Sequence, residues 1–363
     1  MGQTFRFNNK LTEEEASIIK TTPSDQDKKR FQISLKKEAA SITYSKQHKL
    51  EHLQFGPYLL KTWYISPFPQ DFANLKKLLM CQYCLNYMSN ELTFLNHLAN
   101  CQVRHPPGNE IYRDGKLSIF EVHGSKSKLY CQNLCLLAKL FLDTKALYYD
   151  VDPFTFYVLV EYDGPDPNNS IHLESPQNPS FIDHAGCNFI GYFSKELASD
   201  AYNLSCICIL PIYQNKGYGQ YLIDFSYLLT RLEHKVGSPE KPLSFSGCIS
   251  YRSYWKARIA ETLNDYLINK KPIKIINIAN ELGMTVDDVV FTLYHYNLLN
   301  KQNGQTTWTL KINKEWIDKS IQKGLRRKRI NQQFLQWEIP HLKLPILSHE
   351  SHVQQQLQNE DVE

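Results

Sequence analysis

The sequence of 363 residues lacks any apolar run approaching the roughly 18 residues of a membrane-spanning helix, so no membrane partner is expected. It also lacks a strong charge of one sign. Lys and Arg number 41 against 37 Asp and Glu, a formal net charge of +4, which gives no overall drive toward polyanions. Basic residues cluster only locally, as in "KGLRRKR" at 323–329. No leader segment and no internal repeat is visible. The nine cysteines are therefore expected as free or metal-bound thiols in a reducing compartment. What is present is a hydrophobic fraction of 42%, enough to fill a sizeable core, on a chain long enough for two or three domains.

Composition divides the chain. Residues 1–57 read as a polar, variable N-terminal arm rich in Lys, Glu, Ser and Thr. Residues 58–104 open with the strand-like "YLLKTWYISPFP" and lead into a Cys/His cluster. Residues 105–260 form a mixed segment in which "KLSIFEV", "ALYYDV" and "FYVLVEY" read as strands. Within it, 163–186 is rich in Pro, Asn and Ser and reads as an exposed insertion. Residues 261–345 are mainly helical, and 346–363 form a polar tail.

The cluster lies in "CQYCLNYMSNELTFLNHLANC", residues 81–101. Cys81 and Cys84 can reach one ion from a tight turn, and His97 and Cys101, four apart, share a helix face. Three thiolates and one imidazole complete a tetrahedral zinc shell with no position left for water, so the expected zinc is structural. There is a single finger and its helix is apolar rather than basic, which argues against a DNA reader.

The block 204–234 starts with the strand-like run "LSCICILPIY", turns at "QNKGYG" and continues as an amphipathic helix bearing Leu222, Phe225, Leu228 and Leu229 on one face. Strand, glycine turn and helix N-terminus make a pyrophosphate cradle. No Gly-Lys-Ser/Thr follows, which excludes a Walker loop, and Leu222 stands where a dinucleotide fingerprint needs its third glycine. The pattern Q-x-x-G-x-G resembles the coenzyme A loop of GNAT-type acetyltransferases.

"HPPGNEIYRDGKLSIFEV" (105–122), "LYCQNLCLLAKLFLDTKALYYDVDPFTFYVL" (129–159), "SCICILPIYQNKGYGQYLIDFSYLL", "KVGSPEKPLS" (235–244) and "ISYRSYW" (249–255) closely resemble the MYST family of histone acetyltransferases, as does the zinc cluster. The resemblance runs from about residue 58 to 340. It implies a mixed α+β fold: a GNAT-like acetyl-CoA-binding core, an N-terminal C2HC zinc finger region that braces it, and a C-terminal winged-helix-like subdomain. It implies Glu240, in "GSPEKP", as general base, a role suited to a partly desolvated carboxylate. Cys206, five residues before Pro211, matches the family's active-site cysteine. Two roles stand open for it, an acetyl-thioester nucleophile or packing beside the thioester, and direct attack by lysine is the reading favoured here.

Coenzyme contacts are implied for the backbone of Ile207, Cys208 and Ile209, for the loop Asn215, Lys216, Gly217, Tyr218, Gly219 and Gln220, and for the side chains of Ser244 and Ser253. The Cys208 side chain is expected in the core, on the strand face opposite Cys206. Lys145 matches the lysine the family acetylates on itself, although composition alone would make it a surface lysine. Two departures stand out: Asn215 replaces a usual Arg, and "PLSFSG" replaces "PLSDLG", losing an acid at 245. Cys131, Cys135, Cys187 and Cys248 read as core or loop thiols.

In 273–310, Gly283 marks a turn, Thr285 caps a second helix with Asp288 three residues on, and "NKQNGQ" turns a hairpin. Asp287 and Asp288 would both face a DNA groove and repel phosphate, so this unit is read as structural rather than sequence-reading. The resemblance thus implies a nuclear enzyme that transfers acetyl from acetyl-CoA to H3 or H4 histone tails and nucleosomes, directed by partner subunits of a multi-subunit complex. The alternative is a catalytically weak chromatin scaffold that retains the fold.

Overall fold

The computed structural model describes residues 50–162, 186–301, 308–325 and 328–338. The arm up to residue 49, nearly all of the 163–186 insertion and the polar tail lie outside the described residues. Among the described residues, no helix is long and apolar enough to cross a membrane.

A small sheet opens the chain in the order β2-β1-β3-β4. β1 (His52–Phe55) pairs antiparallel with β2 (Tyr58–Lys61) and parallel with β3 (Lys77–Met80), which pairs with β4 (Tyr87–Met88). Leu53 and Phe55 of β1 point inward while His52 and Gln54 are half-buried, the period of two of a one-sided sheet. β1 thus falls inside the stretch read as a polar arm. A short helix, α1 (Gln70–Ala73), precedes β3, and α2 (Glu91–Asn100) follows β4.

The central sheet runs β10-β8-β7-β6-β5. It comprises β5 (Asn109–Asp114), β6 (Leu117–His123), β7 (Phe154–Tyr162), β8 (Cys187–Glu196) and β10 (Cys206–Ile209), each antiparallel to its neighbours. β6, β7 and β8 are buried almost throughout, so both faces of the sheet are covered. That explains why "KLSIFEV" and "FYVLVEY" read as continuous apolar runs rather than alternating ones. "ALYYDV" is not a strand. It runs irregularly from α3 (Lys128–Lys139) to β7 with Leu147 and Tyr149 exposed; Tyr149 is held outside any ladder, its Oη donating to Pro67 O (2.9 Å) and its carbonyl accepting from Gln132 Nε2 (2.9 Å). The run "LSCICILPIY" is also divided. β9 (Tyr202–Leu204) leaves to pair with β11 (Ser238–Pro239), Ser205 breaks the run, and β10 alone joins the central sheet.

α4 (Tyr218–Leu232) lies between two cores. Leu222, Phe225, Leu228 and Leu229 pack with the central sheet. Ile223 and Tyr227 pack with α5 (Phe245–Ile268), α6 (Ile275–Leu282), α7 (Val286–His295) and α8 (Lys314–Leu325). Asp224, only 5% exposed, accepts hydrogen bonds from Tyr254 Oη (2.8 Å) and the Ile330 amide (3.1 Å), which satisfies a buried carboxylate. The winged-helix-like unit forms as expected. Gly283 ends α6 at φ 67°, Thr285 Oγ1 accepts from the Asp288 amide (3.4 Å), and β12 (Leu299–Lys301) pairs with β13 (Trp308–Leu310). The segment after α8 returns to the main core, where Trp337 Nε1 donates to Glu121 (3.0 Å) and the Asn331 amide to Tyr112 Oη (3.1 Å).

Phe225 is fully buried with its ring against Tyr112, Tyr157 and Phe193. Phe225→Ala is expected to destabilise the protein by about 3–5 kcal/mol, read as a lower denaturation midpoint in urea. A loss below 1 kcal/mol would mean that this contact is not central to the core.

Candidate active site and metal centre

The metal centre is assembled by a hairpin and a helix. The chain turns tightly between Cys81 and Asn86: the Cys81 amide donates to Asn86 O (3.0 Å), the Leu85 amide to Cys81 O (3.0 Å), and Leu85 takes φ 60°. Asn90 caps α2 by accepting from the Leu92 amide at 2.7 Å, which fixes the face carrying His97. Cys101 sits at the C-cap with its amide on His97 O (2.7 Å). The ligand atoms of Cys81, Cys84, His97 and Cys101 all lie within 4.8 Å of one another, and Cys84 Sγ is 3.2 Å from His97 Nε2.

This donor set fits a tetrahedral zinc. The Cys81 thiol is held below its ordinary range by the hydrogen bond from Cys84, against the opposing effect of burial, while Cys84 is raised by that same bond. A bound zinc would take both as thiolates, with loss of their protons. Zinc here would tie the β3–β4 turn to α2. None of the four ligands lines the cleft described next, in keeping with a structural role.

That cleft, of about 470 Å³, gathers Cys135, Lys145, Cys206, Ile207, Glu240 and Ser244 among its walls. β10, the edge strand, delivers Cys206 and Ile207. Cys206 is half-buried, with Lys145 Nζ at 3.8 Å and Tyr192 Oη at 3.7 Å. Lys145 is therefore a cleft residue and not a surface one. Burial weighs against its ammonium, but the ionisable sulfurs of Cys206 and Cys135 outweigh this and its pKa is raised. Burial pushes the Cys135 thiol up to about 11.

Cys208 requires a correction. Residues two apart on a strand share a face, so Cys208 lies on the same side as Cys206, and both Cys206 and Lys145 act electrostatically on it. Its side chain is buried in the core as expected, and burial raises its pKa. Glu240 requires another. Its amide is bound to Leu204 O at 2.8 Å, but its side chain is exposed at the cleft wall, so the chain alone does not supply the expected desolvation.

The glycine turn has the predicted geometry. Gln214 Nε2 folds back onto Ile209 O (2.9 Å), Asn215 takes φ 60°, and Gly217 takes φ 91° at the N-cap of α4. No side chain caps this helix, and a Cβ placed on Gly217 would meet nothing within 4 Å. The first amides of α4 thus have no capping side chain, the arrangement that can receive an anion. Lys216 Nζ lies over the Tyr213 ring (5.3 Å) and Lys328 Nζ over the Tyr218 ring (5.2 Å). Tyr218 is buried, and a Cβ placed on Gly219 would meet only Ile209, at ordinary contact distance.

Asn215–Gln220 do not line the Glu240 cleft, and neither does Ser253. Gln220 Nε2 joins the turn to α5 through Ser250 O (2.6 Å). Ser244 Oγ caps α5 by accepting from the Gly247 amide (3.1 Å). Ser253 lines a separate cavity of about 250 Å³ with Arg252 and Lys256. Sequence reasoning missed Cys135, Tyr192 and Lys328 at this site. The i, i+4 spacing of Cys131 and Cys135 signals only an apolar face. It also placed both Asp287 and Asp288 outward, whereas Asp288 is buried against Lys241 Nζ (2.9 Å) and only Asp287 is exposed.

Fold and site together define a GNAT-like α/β core carried on a zinc finger module. Residues 105–175 and 177–335 match the MOZ/SAS family, and residues 47–101 match the MYST family zinc finger domain; the chain belongs to the MOZ/SAS family. It is 44% identical over 292 residues to "Histone acetyltransferase mst2" of Schizosaccharomyces pombe, covering 79% of this chain and 66% of that protein. It is 48% identical over 254 residues to human "Histone acetyltransferase KAT6B", covering 70% of this chain and 11% of the relative. It is 41% identical over 303 residues to "Histone acetyltransferase SAS3" of Saccharomyces cerevisiae, covering 80% and 35%. The chain thus spans 66% or less of the length of each of these relatives.

Purified protein is expected to carry one zinc per chain by metal analysis. Cys84→Ser should lose that zinc and destabilise the N-terminal module while leaving acetyl-CoA affinity unchanged, because the metal lies outside the cleft. Zinc-free protein of undiminished stability would refute the assignment.

Proposed function

We propose that this chain is a histone lysine acetyltransferase that transfers acetyl from acetyl-CoA to lysine amines of H3 or H4 tails. The observation that carries the reading is that Glu240 and Cys206 share one cleft, while the strand bearing Cys206 runs into a glycine turn and an uncapped helix N-terminus. The names of the relatives support a histone substrate and a nuclear place of action. We further propose that it acts on nucleosomes within a multi-subunit complex and without reading DNA sequence, since α7 presents an acidic Asp287 at its exposed first turn.

The chemistry follows from the residues. An ammonium has no lone pair, so Glu240 first takes a proton from the substrate lysine. The amine nitrogen then attacks the acetyl carbonyl carbon, the carbon–sulfur bond breaks, and the coenzyme leaves as a thiolate that takes up the second proton, shed by the acylated nitrogen as it becomes the amide. A thioester already carries a good leaving group, so an intermediate on Cys206 gains little and transfer is direct. β10 pairs with no further strand on its outer side, and its backbone at Ile207, Cys208 and Ile209 is where the amide-bearing arm of the coenzyme would lie. The amides of Gly217, Tyr218, Gly219 and Gln220 receive its pyrophosphate together with Lys216, and Lys328 supplies a second cation where Asn215 supplies none. Ser244 and Ser253 complete the contacts along α5. A seated substrate would cover Glu240 and exclude the water that the open cleft admits.

Steady-state assays with histone peptides and acetyl-CoA test the reading. Glu240→Gln should lower kcat by roughly 10²- to 10⁴-fold, whereas Cys206→Ser should retain most activity at saturating substrates. An unchanged kcat in Glu240→Gln removes Glu240 from the mechanism, and an acetylated Cys206 that forms and decays as fast as turnover overturns direct transfer.

Lys145 is the proposed site of self-acetylation. Its raised pKa means that a smaller fraction is neutral at pH 8 than for free lysine. The rate of its modification should therefore climb about tenfold per pH unit from 7 to 9, with no plateau. Mass spectrometry of time courses at each pH would show this, and a plateau below pH 9 would contradict it.

A further inference from the structure

The loop bearing Glu240 is held by two elements that are remote in sequence. On one side the Glu240 amide donates to Leu204 O (2.8 Å) and β11 pairs with β9. On the other side the loop is tied to the helix-turn-helix unit. The Gly237 amide donates to Gly283 O (2.9 Å), and Gly237 forms a β-bridge with Met284. Lys241, the residue after Glu240, extends its ammonium to Asp288 Oδ1 at 2.9 Å.

Asp288 is an unusual place to find a charge. Its side chain is 2% exposed, whereas Lys241 is 49% exposed. Burying a carboxylate costs several kcal/mol unless it is paired, and an apolar residue would fill the position without that cost. Asp288 is also rigidly seated: its amide is capped by Thr285 Oγ1 (3.4 Å), and its carbonyl accepts from Thr292 Oγ1 (2.7 Å). Tyr251, which lines the Glu240 cleft, is buried close enough for the Asp288 charge to add to the effect of desolvation on its hydroxyl. The carboxylate thus stands behind the cleft wall and grips the residue next to the base.

We propose that Asp288 is a positioning residue, which fixes the Glu240 loop through Lys241 and so makes the winged-helix-like unit part of the catalytic apparatus. The inference rests on Glu240 being the general base. Consecutive Cα atoms are about 3.8 Å apart, so freedom gained at Lys241 passes directly to Glu240. Misplacing a catalytic group by about 1 Å costs on the order of 10²-fold in rate.

The test uses the full chain, acetyl-CoA and a histone H3 or H4 tail peptide, with hydrogen–deuterium exchange of residues 237–241 as a second readout. Asp288→Asn should lower kcat by about 10- to 100-fold while KM for acetyl-CoA stays unchanged, and it should speed exchange at the Glu240 amide. Asp287→Asn, next door and exposed, should change neither. Lys241→Met should reproduce the effect, and the double variant should be no worse than Asp288→Asn. Should Asp288→Asn fail to fold, Lys241→Met alone decides, because its side chain is half in solvent. Wild-type kcat with wild-type exchange in the folded variant overturns the proposal, as does lower thermal stability with kcat intact. Should wild type show no transfer, it is the acetyltransferase reading that fails, and the exchange experiment still reports whether Asp288 holds the loop.

Discussion

Everything in this structure hangs on α4 being buried on both sides. An ordinary surface helix covers a core with one stripe; α4 gives Leu222, Phe225, Leu228 and Leu229 to the sheet and Ile223 and Tyr227 to the helical layer. Its polar members are satisfied internally. Asp224 is bonded by Tyr254 and the Ile330 amide, and Tyr227 Oη accepts from Trp255 Nε1 at 2.9 Å. With the flanks thus committed, only the N-terminus of the helix remains open, directly after β10. That open end is therefore held in place by the same packing that makes the core.

The zinc module is joined to this frame by packing. Its strands are short and its own sheet is too small to be stable alone. Phe55 meets Phe189 of β8 edge-on (5.9 Å), Ser66 Oγ donates to Leu136 O (2.7 Å), and the Trp63 amide donates to Leu140 O (3.0 Å). Leu53, Leu78 and Leu85 belong to the same core as the central sheet. Metal and core thus support different ends of one module: zinc closes the turn, and apolar contact holds the strands against β8 and α3.

What could be read in the sequence is what is encoded locally. The Cys81–Cys101 spacing, the strand into Gly217, and the cap at Thr285 each lie within a short window, and the structure has all three. What could not be read joins distant segments. Lys145 reaches Cys206 across 61 residues, Lys241 reaches Asp288 across 47, and Ile330 reaches Asp224 across 106. No periodicity records such pairs. The strand expected in "ALYYDV" failed because strand propensity yields to tertiary context: Tyr149 is held by Pro67 and Gln132 and not by a ladder. Glu240 was singled out by motif, but its exposure was misjudged because solvent access depends on the cleft around it and not on its neighbours in sequence.

β10 has a further consequence. It is an outermost strand, paired only to β8, and Gly191 lets its backbone approach so closely that a Cβ there would fall 2.4 Å from Cys208 O. The sheet therefore ends in a firmly attached strand with no further strand beyond it, and of that edge Ile209 O is taken by a side chain, Gln214 Nε2. Such an edge is a template for any extended chain, including another molecule's. A small molecule seated along it would occupy the edge and deny it to other strands. An extended ligand lying along β10 would therefore also guard the sheet edge against pairing with a second molecule.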